Sequence, residues 1–141
     1  MMVRGATPQD AEAIVALWRV VFPEYADPAR PQRDARASVD RKLAWGDGLF
    51  WLGRIDGAVI GTAMAGYDGH RGWLYSVGVH PHWRGCGCGR DLVAHALAAL
   101  AAQGCPKVNL QVLAGNAVAL AFWRACGFVQ DDVVPLGRRL P

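Results

Sequence analysis

Between Val77 and Arg90 the chain reads Val-Gly-Val-His-Pro-His-Trp-Arg-Gly-Cys-Gly-Cys-Gly-Arg, and this segment limits what the chain can become more than any other. It follows an alternating apolar stretch and precedes an alanine-rich one, so it joins a strand to a helix. Gly85, Gly87 and Gly89 occupy alternate positions. Such a run costs conformational entropy on folding. What it supplies is backbone without side-chain bulk, where a ligand can approach closely. The free N–H groups and the positive dipole end at a helix start favour phosphate. Each charge-assisted hydrogen bond there contributes about 1.5–3 kcal/mol. Several amides, from Gly85, Cys86, Gly87, Cys88 and Gly89, would hold a pyrophosphate, with Arg84 or Arg90 adding charge. The competing reading is a glycine-rich turn with no ligand.

The surrounding residues narrow the choice of phosphate ligand. A P-loop needs Lys and Ser/Thr directly after its last glycine, whereas Arg90 and Asp91 follow Gly89. A dinucleotide fingerprint needs G-x-G-x-x-G with an acid about 20 residues on. Here the spacing is G-x-G-x-G, and residues 107–113 contain no acid.

The rest of the chain alternates strand and helix signals. A short strand is expected over 3–6. Thr7 as N-cap, Pro8 and Asp10 then open a helix carried by Ile14, Leu17, Trp18, Val21 and Phe22 and ended by Pro23. A second, highly charged helix is expected from about 31 to 45. Strands over 49–55 and 58–67 flank Asp56-Gly57, a tight-hairpin signal. A turn over 68–72 leads to a strand over 73–79. After the glycine segment come a helix over 91–103, a strand over 107–113, a short helix over 116–126 and a last strand over 128–134. This order describes one α/β domain spanning 1–141, with a mixed sheet.

Two stretches carry a family resemblance. "VGVHPHWRGCGCGRDLV" resembles the acetyl-CoA motif of the GNAT N-acetyltransferase superfamily, Gln/Arg-x-x-Gly-x-Gly/Ala. "NLQVLAGNAVALAFWRACGF" resembles the family's second motif, a strand followed by Asn-x-x-Ala-x-x-(Phe/Leu)-Tyr-x-x-x-Gly-Phe. "GCPKVNLQV" is further similar to small bacterial acetyltransferases of the YpeA type. The resemblance implies a mostly antiparallel central sheet with flanking helices, in which strands 73–79 and 107–113 splay apart. It also implies acetyl-CoA as co-substrate, no metal, and pantetheine lying in the gap as an added strand. Val77 and Val79 would pair with the pantetheine, and an amide near Val77 or Gly78 would bind the thioester oxygen. Residues Arg84, Gly85, Cys86, Gly87, Cys88, Gly89 and Arg90 would cradle the pyrophosphate. Asn116 and Phe122 would contact the coenzyme, although Asn116 suits a helix N-cap equally well.

One position departs from the family. Trp123 stands where a tyrosine is thought to protonate the leaving thiolate, and an indole N–H is no practical proton source. Tyr75 is the substitute acid candidate, or else a half-buried strand tyrosine. Asp68, His70 and Glu24 are candidate bases acting through water. Against that, Asp68-Gly69 is a common turn pair and His70 a natural solvated turn residue. Trp51 and Trp73 are expected to line an acceptor cleft, with Glu24 near it. The acceptor is then a small-molecule amine or a peptide or protein amino group. Replacing the family tyrosine also leaves open a non-catalytic acyl-CoA-binding sensor.

With 141 residues, 52% hydrophobic and 19% charged, the chain can bury a core without staples. A net charge of +3 suits a polyanionic ligand but forms no basic stripe, so nucleic acid is not an expected partner. Cys86, Cys88, Cys105 and Cys126 lack zinc-ligand spacing and read as thiols of a reducing compartment. No signal-peptide h-region or run of membrane-spanning length occurs, so a cytoplasmic protein without a membrane partner is expected. Family members that pair through late strands leave a homodimer open.

Overall fold

Thr7, Pro8 and Asp10 start the first helix in a computed structural model of the protein, which describes residues 1–30 and 33–141. Thr7 is extended, and Pro8–Asp10 makes one 3-10 turn before α1 (Ala11–Val21). The Asp10 carboxylate accepts from the Thr7 N–H at 2.8 Å and its hydroxyl at 3.0 Å. It also takes both arms of the Arg4 guanidinium at 2.8 Å. Arg4 holds the Asp10 carboxyl far below the usual carboxylate range, with Thr7 helping and burial opposing. A depressed pKa means stability that is present above the unfolded value near 3.9 and lost as pH falls below it. Asp10→Asn is expected to cost about 1–2 kcal/mol at pH 7, allowing for screening of the part-exposed arginine. It should also flatten the acid limb of a denaturant-versus-pH series below about pH 4.

Chain contacts divide the described residues into two compact units, Met1–Leu110 and Gln111–Pro141. In the first, β1 (Met2–Gly5), β2 (Phe50–Ile55), β3 (Ala58–Tyr67) and β4 (Gly72–Val79) are antiparallel neighbours in that order. The turn between β2 and β3 places Asp56 at φ 49 and Gly57 at φ 81, the left-handed pair that a two-residue hairpin needs. A two-residue β5 (Val108–Asn109) pairs parallel with the start of β4. The expected strand over 107–113 is thus far shorter than its alternation suggested.

Helices cover both faces of this sheet. On one, Ile14, Val15 and Trp18 of α1 and Val39 of α2 (Ala35–Trp45) pack on Phe50, Leu52 and Met64. Asp34 caps α2, accepting from the Ala37 N–H at 3.1 Å; the expected start of that helix at 31 lies outside the described residues. The other face carries α3 (Cys88–Ala102), which buries Leu92, Val93, Ala96 and Leu100. α3 begins three residues before the expected 91. Gly87 adopts the left-handed N-cap conformation (φ 85), so Cys88, Gly89 and Arg90 form the first helical turn rather than a loop.

The second unit holds α4 (Ala117–Ala125). Asn116 caps it, its Oδ1 accepting from the Ala119 N–H at 3.0 Å. Trp123 meets Phe122 and Phe128 edge-on, with ring centroids 5.0 and 5.3 Å apart. The expected strand over 128–134 does not form: among the described residues nothing beyond α4 joins a sheet. Val129, Val133 and Val134 are exposed, so no partner ladder or core rewards an extended conformation there.

Candidate active site

Strand β4 is irregular where the chemistry is expected. Thr62 of β3 faces Gly78 and Met64 faces Tyr75, so Ser76 and Val77 together oppose Ala63. This is a bulge, which bends a strand and leaves one residue out of the ladder. Ser76 takes φ 46, a conformation uncommon for a residue other than glycine. The bulge reverses the side-chain alternation. Tyr75 opposes Met64 on the face covered by α1, and beyond the bulge Gly78 lies on that same face. A Cβ at Gly78 would stand 2.5 Å from Val21 Cγ1 and 2.8 Å from Phe22 Cζ. Glycine is what lets the end of α1 close onto β4.

β4 also outruns its neighbour. Only Gly72 and Trp73 pair with β5, at Val108 and Asn109. Among the described residues no backbone pairing to β5 continues along 74–79, so that edge offers ladder groups to an extended ligand. The strand ends in Pro81–Trp83, a 3-10 turn capped by His80, whose Nδ1 accepts from the His82 N–H at 3.1 Å.

The glycine segment follows directly. Arg84 donates from Nε to the Val79 carbonyl at 3.0 Å, which anchors its guanidinium at the end of β4. Gly85 and Gly87 both have positive φ, 79 and 85, and a Cβ on either would meet nothing within 4 Å. Open space therefore lies before the loop, which is exposed from Arg84 to Gly87. Alternating left-handed residues turn successive N–H groups toward one concavity. The first-turn amides of α3 have no intrahelical acceptor. An exposed Arg90 adds charge beside them. These residues fit a diphosphate.

A sequence profile of the acetyltransferase (GNAT) family matches residues 13–128, most of the chain. The chain belongs to that family. Its activity class is therefore acetyl-CoA-dependent N-acyl transfer. Acetyltransferase YE1169 of Yersinia enterocolitica is 36% identical over 140 residues, which are 99% of this chain and 96% of that one. A solved protein of Agrobacterium tumefaciens superposes with a TM-score of 0.79 at 26% identity, covering 99% of this chain and all of its own. The aminoglycoside N-acetyltransferase AAC(6')-Iy, solved in complex with CoA, superposes with a TM-score of 0.78 at 22% identity, covering 98% and 93%. The expected mixed, mostly antiparallel sheet with flanking helices is this acetyltransferase's fold.

Around the glycine segment the remaining candidates separate. Tyr75 is 48% exposed on β4 and its ring stacks beside Trp73, centroids 6.4 Å apart. Partial burial, then the charge of Asp68, raises the Tyr75 phenol above its ordinary value, so it keeps its proton. Asp68 itself is a turn former. Its Oδ1 accepts from the N–H groups of His70 and Arg71, both at 2.8 Å. Those two bonds, Arg71 first, lower its carboxyl, which makes it a poorer proton acceptor than the sequence suggested. His70 is exposed in the same turn. Glu24 sits half-buried in the 3-10 turn Pro23–Ala26, beside Tyr25, whose ring stacks on Trp18 at 5.4 Å. Trp51 is a correction: it is 5% exposed and roofed by His95 of α3, so it is core and cannot wall an open acceptor cleft.

Two groups leave almost no trace in the sequence. Nothing about a serine between Tyr75 and Val77 announces a left-handed backbone. Thr62, the polar residue in the buried run from Ile60 to Ala65, is the one hint that something polar lies opposite. Among the described residues no cluster of His, Cys, Asp or Glu could hold a metal, and no helix is long and apolar enough to cross a membrane.

Proposed function

We propose that the chain acts as one N-acetyltransferase domain that moves the acetyl group of acetyl-CoA onto a primary amine. The observation that carries this is the pairing of a bulged strand edge, 74–79, with a bare glycine loop and helix start immediately after it. The family match runs from residue 13 to 128, through both compact units, which supports a single functional domain. Pantetheine would lie along the edge at Val77 and Val79, with the diphosphate on residues 84–90. The amine nitrogen attacks the thioester carbon, and the oxygen becomes an anion facing an N–H of the bulge. In acyl transfer of this kind, fixed donors aimed at the developing charge lower the barrier more than any other single effect. Collapse expels the thiolate, which Tyr75 protonates, while the proton of the acceptor nitrogen leaves through water to His70 or Glu24.

The acceptor enters neutral. At pH 7 this costs about 1 kcal/mol for an amine of pKa near 8, and about 4.6 for a lysine near 10.4. With Asp68 committed to its turn by the His70 and Arg71 N–H groups, an acceptor with the smaller cost demands least of the site. We therefore assign a weakly basic amine, on a small molecule or a peptide terminus. That the superposable AAC(6')-Iy is an aminoglycoside N-acetyltransferase supports a small-molecule acceptor. Trp123 in the family's tyrosine position is the one observation favouring an acyl-CoA-binding sensor instead. Free-thiol release from acetyl-CoA across an amine panel decides between them. Stoichiometric thiol and acetylated amine support the enzyme; tight binding with no release on any amine supports the sensor.

A further inference from the structure

A buried hydrogen-bond chain ties α1 to the bulge of β4. The Trp18 Nε1–H donates to Thr62 Oγ1 at 3.0 Å, and the Thr62 hydroxyl donates to the Ser76 carbonyl at 3.0 Å. Both side chains are wholly buried. The direction of the chain is forced. Indole N–H only donates and a carbonyl only accepts, so the single hydroxyl proton of Thr62 must go to Ser76.

The bond has a consequence one atom further on. The Ser76 carbonyl and the Val77 N–H belong to one planar trans peptide unit, in which C=O and N–H point in opposite directions. Holding the oxygen toward Thr62 therefore turns the Val77 N–H away from Thr62. Ser76 sits at φ 46, which a serine adopts only where its surroundings insist on it. Thr62 is the side chain that bonds this carbonyl.

We propose that Thr62, oriented by Trp18, is a positioning residue for acyl transfer: it clamps the Ser76–Val77 peptide so that the Val77 N–H is aimed at the thioester oxygen. This rests on the reading of the β4 edge as the acyl site. Thr62 touches neither substrate, so its removal should reach the chemical step and not coenzyme capture.

The test uses the full chain and its best acceptor. Thr62→Val, similar in shape but without the hydroxyl, should lower kcat at least about 10-fold while KM for acetyl-CoA stays within about 2-fold, since removing one oxyanion donor costs more than this. Thr62→Ser keeps the hydroxyl and should stay within about 3-fold of the parent kcat. Adding Ser76→Gly to Thr62→Val should recover part of the loss, because glycine enters the left-handed region without the steric cost that serine carries there. Should Thr62→Val not fold, Thr62→Cys, whose thiol is a poor donor, carries the same expectation. An unchanged kcat, a loss confined to KM, or a Thr62→Ser variant as slow as Thr62→Val would overturn the clamp. A crystal structure of the valine variant needs no turnover: Ser76 should leave its left-handed φ, and retention of it refutes the clamp. A parent protein that releases no thiol with any amine refutes the acyl-site reading instead, and the variant structure still decides the clamp.

Discussion

Gly87→Glu is expected to weaken acetyl-CoA binding at least about 100-fold in a calorimetric titration, with the protein still folded. Gly87 is the N-cap of α3 and a Cβ added there would point into open space, so no atom has to move to admit a side chain. The substitution has two effects of different size. Forcing a side chain into the left-handed region costs about 1–2 kcal/mol, small beside the roughly 5–15 kcal/mol that holds a domain together. The carboxylate would sit at the helix start, where free N–H groups favour an anion. It would then take those groups from the diphosphate and repel it. Losing two charge-assisted bonds amounts to about 3–6 kcal/mol, at or above the roughly 2.7 kcal/mol that a 100-fold change requires. Gly87→Ala separates the two effects, since it carries the strain without the charge and should cost less than about 10-fold. Equal affinity in the parent and the glutamate variant would remove the loop from the coenzyme site.

Tyr75→Phe should lower kcat by about 100-fold, the lower end of what a positioned general acid contributes, with KM for acetyl-CoA unchanged. The effect lies at that low end because a thiol near pKa 8.5 leaves readily even without help. Burial and then Asp68 raise the Tyr75 phenol above the ordinary value of 10.0. An acid acts while protonated, and a raised pKa extends that range upward. The kcat profile of the parent should therefore rise as the acceptor amine deprotonates and show no falling limb below about pH 10. Trp123→Phe, by contrast, trims one member of the Phe122–Trp123–Phe128 cluster and should change kcat less than about 3-fold. A loss in Tyr75→Phe smaller than about 5-fold would mean that water protonates the thiolate.

The parts of this protein written in short-range chemistry are readable from the residues alone. Asp56-Gly57 specifies its hairpin, Thr7-Pro8 its helix start and Asn116 its cap, because each depends on a few adjacent atoms. The glycine segment is legible as a place of bare backbone, yet its boundary is not. Glycine at 89 reads as loop, whereas the left-handed Gly87 has already started the helix. Longer-range facts are hidden. The alternation over 107–113 is a sound strand pattern, but a strand also needs a neighbour, and only Val108 and Asn109 find one. The valines at 129, 133 and 134 fail for the same reason. Trp51 has the spacing of a cleft residue, but His95 of a distant helix covers it. The bulge is invisible because Ser76 is held out of ordinary geometry by a hydroxyl fourteen positions away in the chain.

Amide-resolved NMR during a titration with acetyl-CoA tests the coenzyme site most directly. The signals of Gly85, Cys86, Gly87, Cys88 and Gly89 should shift together with those of Val77 and Val79, and desulfo-coenzyme carrying the same diphosphate should move the loop signals equally. Saturable binding that leaves the loop and the β4 edge unmoved while shifting amides elsewhere would contradict this placement.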